Sequence, residues 1–179
     1  MAPYLHRFGG VLLTGALLLP VAAAIVVVLA RRRVRGGLTA GAAWRRSVAE
    51  VGMVAGTVPW LVMGLWPIDL PPGVARWHLV PLSDIAGLLS GPPGDAFVQI
   101  VANLLVFFAV GMFAPLRSRK LADPMRLVLL GSAGSLALEV CQQAFGTGRV
   151  FSVDDVLLNG LGCLLGGLVT RPYWLPAQR

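Results

Sequence analysis

The sequence predicts an all-α integral membrane protein, a helical bundle with about five transmembrane helices. Three observations support this fold class. Hydrophobic residues make up 56% of the 179 residues and charged residues only 13%, and the mean hydropathy is +0.77. The apolar runs approach or exceed the length needed to cross a hydrocarbon core of about 30 Å. Basic loops separate several of these runs. This composition excludes an ordinary soluble domain, so residues 1–179 are expected to form a single membrane domain.

The first apolar run covers residues 8–30 and is followed, not preceded, by its arginine cluster. A signal peptide carries its positive charge before a shorter apolar core, so this run is predicted to be a retained first span. Four more runs follow: about Val48 to Trp66, about Phe97 to Ala114, about Met125 to Phe145 and about Asp155 to Thr170.

Glu50 is expected to have a structural role. Its predicted position is the first turn of the second span, where the helix dipole favours a carboxylate. Arg46 lies four residues earlier and is its predicted partner.

Residues 67–96 are rich in proline and glycine but also contain Trp77, Leu79, Leu82 and the apolar patch from Ile85 to Leu89. Such a segment is unsuited to a free linker. It is predicted to be an outer amphipathic loop that lies on the membrane or re-enters it.

The basic residues predict the orientation. With the amino terminus outside, twelve of the fifteen Lys and Arg residues are cytoplasmic, and only Arg7, Arg76 and Arg149 are outside. The twelve occupy positions 31, 32, 33, 35, 45, 46, 117, 119, 120, 126, 171 and 179. We therefore expect a multi-pass protein of the cell membrane, with the N-terminus out and the C-terminus in. The net charge of +7 follows from this topology, and no nucleic-acid partner is expected.

Polar residues in three spans share one depth. Asn103, Glu139 and Asn159 each lie four to six residues from the outer end of their span, about 6–9 Å below the interface. Ser135 and Gln142 share the helical face of Glu139, and small residues let the fifth helix approach its neighbours closely. The predicted cleft residues are Asn103, Ser135, Glu139, Gln142, Arg149, Asp154, Asp155 and Asn159.

This layer has two interpretations. In the first, its amides and carboxyl group only join the helices. In the second, Arg149, Asp154 and Asp155 form the mouth of an outward-facing cleft, and Glu139 forms its floor with the two asparagines. One of the two aspartates also suits an N-cap of the fifth helix.

Four segments together resemble the VanZ-like family: HLVPLSDI from residue 78, NLLVFFAVGMFAP from residue 103, SLALEVCQ from residue 135 and RVFSVDDVLLNGLG from residue 149. They run over residues 78–167, the predicted VanZ-like core. The chain departs from the family pattern at His78, Leu82, Ala109 and Ser152. The resemblance implies a cell-envelope membrane protein of a family that is named for an accessory factor in teicoplanin resistance.

Three functions are compatible with these observations. In the first, the cleft recognises a lipid head group, a lipid-linked envelope intermediate or a lipoglycopeptide, and contributes to antibiotic or envelope-stress tolerance. In the second, the protein is an intramembrane enzyme that acts on such a lipid: Glu139 serves as acid or base, Asp154 and Asp155 hold a divalent cation, and Arg149 pairs with phosphate. In the third, it is a transporter or channel subunit.

The sequence assigns no catalytic residue, because no nucleophile lies beside a base. No cofactor and no metal site are predicted, since Cys141 and Cys163 lie in apolar runs without metal-ligand spacing. Membrane lipids are the expected partners, and the chain is compatible with a homo-oligomer.

Overall fold

The computed structural model describes residues 2–70 and 73–174, which form a helical bundle. Its α-helices are α1 (Ala2–Arg35), α2 (Ala40–Leu65), α3 (Ser83–Leu89), α4 (Pro93–Val106), α5 (Phe108–Arg117), α6 (Pro124–Ala144) and α7 (Val153–Thr170). Two 3₁₀ turns occupy Arg119–Leu121 and Arg171–Tyr173. Two short strands, β1 (Trp77–His78) and β2 (Phe151–Ser152), pair in parallel. Arg179, one of the predicted cytoplasmic residues, lies outside the described residues.

Five helical segments in the described chain are long and apolar enough to cross a membrane, which confirms the predicted fold class. They are Gly15–Arg35, Ala40–Leu65, Pro93–Arg117, Pro124–Ala144 and Val153–Tyr173. The third is longer than predicted and contains both α4 and α5. Phe107 separates these two helices with φ −109° and ψ 8°. Its ring is buried and lies against Gly134 of α6.

Helix α7 is the centre of the bundle and packs against α4, α5 and α6. Half of its span is buried, against only 6% for the outermost span in α1. Glycines bring the central helices into backbone contact: a Cβ on Gly111 would lie 1.7 Å from the Cys163 carbonyl oxygen, and one on Gly166 would lie 2.0 Å from that of Phe108. Close packing of small residues is the usual way in which helices associate inside lipid.

Glu50 joins three helices. Its carboxylate accepts a hydrogen bond from Arg33 of α1 and another, at 2.7 Å, from Nε of Arg117 at the end of α5. The prediction that Arg46 is its partner was wrong, and so was its placement in the first turn, because α2 begins ten residues earlier at Ala40. Guanidinium groups from two neighbouring helices reach this carboxylate instead.

The exposed basic residues that the structure describes, apart from Arg76, gather at one end of the bundle. This is the end where α1, α5 and α7 finish and where α2 and α6 begin. Its exposed cationic side chains are Arg31, Arg32, Arg35, Arg46, Arg117, Arg119, Lys120, Arg126 and Arg171. The opposite end is formed by the last residues of α2 and α6, the first residues of α4 and α7, and the segment that contains β1 and α3.

Candidate functional site

A large cavity of about 1230 Å³ opens at this opposite end, and we call it the polar cavity. Helices α2, α3, α4, α6 and α7 and the two connections that carry β1 and β2 supply its lining. Its polar lining residues include His78, Asp84, Asp95, Asn103, Glu139, Gln142, Arg149, Ser152, Asp155 and Asn159. Its apolar lining residues include Trp60, Trp66, Leu88, Val98 and Leu138.

Glu139 and Asn159 are the most deeply buried polar residues of the described lining, each only 3% exposed. The Asn159 amide donates to Ser135 Oγ at 2.8 Å, which joins α7 to α6. Within the described part of the chain, neither Glu139 Oε2 nor Asn159 Oδ1 has a hydrogen-bond partner. Buried polar atoms are nearly always satisfied, so these two acceptors are unusual features of the lining.

Asn103 and Asp155 form a second polar link across the helices. The Asn103 amide on α4 donates to Oδ1 of Asp155 in the first turn of α7. Asp155 also lines the polar cavity, so α4 holds in place a carboxylate-bearing residue of the lining.

The connection between α6 and α7 forms another wall and is tied to the end of α2. Arg149 Nη2 donates to the Met63 carbonyl at 2.9 Å, and Gln142 Nε2 donates to the Gly64 carbonyl at 3.0 Å. Gly148 has φ +73°, and a Cβ there would lie 1.9 Å from the Ile68 carbonyl oxygen. Only glycine allows the two chain segments to pass so closely in this conformation.

Asp154 has a different role from its neighbour Asp155. It is buried, only 2% exposed, and its carboxylate accepts hydrogen bonds from the backbone N–H groups of Leu82, Asp84 and Ile85 at 2.5, 2.9 and 3.1 Å. It therefore fixes the first turn of α3 above α7. The N-cap of α7 is Ser152, whose hydroxyl accepts from the Asp154 backbone N–H at 3.2 Å.

His78, Asp84 and Ser152 form a polar group that the sequence did not reveal. His78 Nδ1 hydrogen-bonds Asp84 Oδ1 at 2.7 Å, and Ser152 Oγ donates to Asp84 Oδ2 at 2.5 Å. All three residues line the polar cavity. The pairing of β1 with β2 brings His78 beside Ser152 although 74 positions separate them.

The structure brings six of the eight predicted cleft residues into one lining: Asn103, Glu139, Gln142, Arg149, Asp155 and Asn159. Ser135 and Asp154 stand behind that lining, where they hold Asn159 and α3 respectively. Two of the departures from the family pattern, His78 and Ser152, are themselves lining residues.

The hypothesis of a divalent cation held by Asp154 and Asp155 fits this arrangement poorly. Both oxygens of Asp154 already accept backbone hydrogen bonds. Among the residues that the structure describes, no three His, Cys, Asp or Glu side chains are grouped as metal ligands.

A family model described as VanZ/LLP1 matches residues 53–174, about two thirds of the chain. The matched region begins in the middle of α2 and contains every lining residue named above. No curated protein and no solved structure matches the chain.

Proposed function

Because the chain belongs to the VanZ/LLP1 family and has five membrane-spanning helices, we propose that its polar cavity recognises the head group of a lipid, a lipid-linked envelope intermediate or a lipoglycopeptide. Through this recognition the protein would contribute to antibiotic or envelope-stress tolerance. The observation that carries the proposal is the cavity itself, which combines apolar helix surfaces with buried polar atoms that lack a partner.

The proposal includes an orientation in the cell membrane. The basic end of the bundle belongs on the cytoplasmic side by the positive-inside rule. The polar cavity then faces outward, with the amino terminus outside and the carboxyl terminus inside. An outward cavity has access to envelope lipids and to antibiotics that arrive from outside.

The size and walls of the cavity suit an amphipathic ligand. Pockets for small molecules usually enclose about 300–1,000 Å³, and this cavity is larger at about 1230 Å³. Trp60, Trp66 and Leu138 supply apolar wall, and Trp is favoured where one part of a site is apolar and another is wet. A head group and the first part of its hydrocarbon chain can therefore occupy it together.

A charge-removal series tests the proposal. Glu139→Gln, Asp155→Asn and Arg149→Gln are compared with Asp69→Asn, which removes an exposed carboxylate outside the lining. Each variant is assayed in a deletion strain for teicoplanin and envelope-stress tolerance, and as purified protein for folding. We expect the three cavity variants to fold and to lose tolerance while Asp69→Asn keeps it. Tolerance that falls only in step with folded protein would mean that the layer merely joins helices.

A second candidate, an enzyme that acts on such a lipid, is favoured by the His78–Asp84 pair. A carboxylate that holds one imidazole nitrogen orients the other for general acid–base chemistry. If His78 is catalytic, His78→Gln will bind lipid as the wild type does and abolish turnover of a radiolabelled lipid. Equal product formation by both proteins would exclude this role.

A further inference from the structure

The described lining of the polar cavity contains more carboxyl groups than guanidinium groups. We infer that it selects ligands that carry a cationic amine, with the ammonium group seated between Glu139 and Asp155. This inference rests on the proposed function and names the chemistry of the head group. It concerns a primary ammonium attached to an apolar chain, whether that chain belongs to a membrane lipid or to a lipoglycopeptide.

The first observation is the balance of charged groups. The described lining residues include four carboxyl groups, those of Asp84, Asp95, Glu139 and Asp155, and a single guanidinium, that of Arg149. Asp84 is engaged by His78 and Ser152 at the side of the cavity. In their ionised form these carboxyl groups repel a purely anionic head group and attract a cationic one.

The second observation is the type of the atoms without partners. Glu139 Oε2 and Asn159 Oδ1 are both hydrogen-bond acceptors, both belong to side chains 3% exposed, and neither finds a donor within the described residues. The floor of the cavity therefore lacks hydrogen-bond donors. An ammonium group supplies three N–H donors and carries no acceptor. A carboxylate buried without a countercharge is costly, and a bound cation supplies that countercharge.

The third observation is the wall beside the floor. Trp60 and Trp66 line the same cavity, and indole rings attract cations through their π-faces. Arg149 reaches the cavity from the α6–α7 connection. A phosphate near the amine, as in a zwitterionic phospholipid, can therefore pair with the guanidinium while the amine meets the carboxylates.

The test compares ligands with and without a free amine, and with and without acyl chains. The full-length protein in an uncharged detergent is titrated with phosphatidylethanolamine, N-acetylated phosphatidylethanolamine, phosphatidylglycerol and soluble phosphoethanolamine, and binding is measured by native mass spectrometry. We expect phosphatidylethanolamine to bind roughly tenfold or more tightly than its N-acetylated form, because acetylation removes one partner of a buried charge pair. Glu139→Gln and Asp155→Asn should shrink this ratio, and Asp69→Asn should leave it unchanged.

The possible outcomes distinguish a failure of this inference from a failure of the proposed function. Equal binding of the free and N-acetylated lipids by the wild-type protein would overturn the ammonium inference. This comparison uses only the wild-type protein, so it does not depend on the folding of any variant. Tight binding of phosphatidylglycerol that Arg149→Gln abolishes would overturn the same inference but support head-group recognition. If phosphoethanolamine binds as tightly as the lipid, the ammonium seat stands, but the apolar chain is removed from both the inference and the proposed function. If neither these lipids nor teicoplanin binds, both proposals fail.

Discussion

The backbone N–H of Leu82 donates to Oδ1 of Asp154 at 2.5 Å, although 72 positions separate the two residues in the chain. Oδ2 of the same carboxylate accepts from the backbone N–H groups of Asp84 and Ile85 in the first turn of α3. One buried side chain therefore fixes α3, in the segment between the second and third spans, onto the start of α7. Its neighbour Asp155 instead lines the polar cavity.

Asp154→Asn should destabilise the protein without changing the polar lining. The amide keeps one oxygen acceptor but replaces the other oxygen with an NH₂ group that faces backbone donors. We expect a loss of about 2–4 kcal/mol in the free energy of unfolding, since hydrogen bonds to a buried charged group are lost. Unfolding in mixed micelles measures the loss, and limited proteolysis between residues 73 and 92 shows where it acts. Asp69→Asn is the matched control. Wild-type stability in Asp154→Asn would mean that this carboxylate does not hold α3.

Leu82 occupies a left-handed backbone conformation, with φ 67° and ψ 2°. This conformation is costly for most L-residues and worst for those branched at Cβ, whereas Asn adopts it readily. Since the Leu82 side chain is largely exposed, its own packing contributes little. Because Leu82 itself bears this penalty, Leu82→Asn should raise the free energy of unfolding by up to about 1 kcal/mol, whereas Leu82→Val should lower it, since its Cβ is branched. Equal thermal stability of Val and Asn variants would contradict the strained backbone.

The shared polar layer could be predicted from the sequence because depth and helical face are both local properties. Glu139 and Asn159 lie five and six residues from the ends of α6 and α7 that face the cavity, and the antiparallel packing of these helices brings Asn159 to Ser135. Asn103 lies ten residues into α4, farther than predicted because α4 begins at Pro93, and still reaches Asp155 of α7. The His78–Asp84–Ser152 group could not be predicted in this way. It depends on a parallel pairing of two two-residue strands from distant loops, for which no periodic pattern exists.

The partners of Glu50 also could not be predicted from local spacing along one helix. Local spacing on one helix suggested Arg46, but the helices packed beside α2 supply Arg33 and Arg117. Which face of a helix meets which neighbour is set by the whole bundle. The break between α4 and α5 at Phe107 likewise depends on another helix, because Gly134 of α6 provides the space for the Phe107 ring.

Glu50→Gln should loosen the contact among α1, α2 and α5. The carboxylate is about one third exposed, so its pairing with two arginines is screened by solvent and the expected cost is about 1 kcal/mol. This cost should shrink at high ionic strength. The double variant Glu50→Arg with Arg117→Glu restores one opposite pair and should recover part of the stability. A loss that salt does not alter would point to packing in place of charge.

Gly111→Ala should be among the most destabilising single changes in the bundle. Its added Cβ would lie 1.7 Å from the Cys163 carbonyl, a backbone atom that cannot move without shifting α7. We expect a loss of about 3 kcal/mol or more, as for an overpacked core. Gly15→Ala is the control, because nothing lies within 4 Å of its Cβ, and it should stay within about 1 kcal/mol of wild type. If both variants unfold alike, the close approach of α5 and α7 is not what stabilises the bundle.

The proposed orientation predicts which loops can be labelled from outside intact cells. Asp69→Cys lies exposed beyond the end of α2 at the cavity side, and Lys120→Cys lies exposed in the turn between α5 and α6 at the basic side. A membrane-impermeant maleimide should modify Asp69→Cys in intact cells and Lys120→Cys only after the membrane is opened. The parent protein, with Cys141 and Cys163 inside the spans, gives the background. The reverse pattern would place the polar cavity on the cytoplasmic side, where extracellular lipoglycopeptides have no direct access to it.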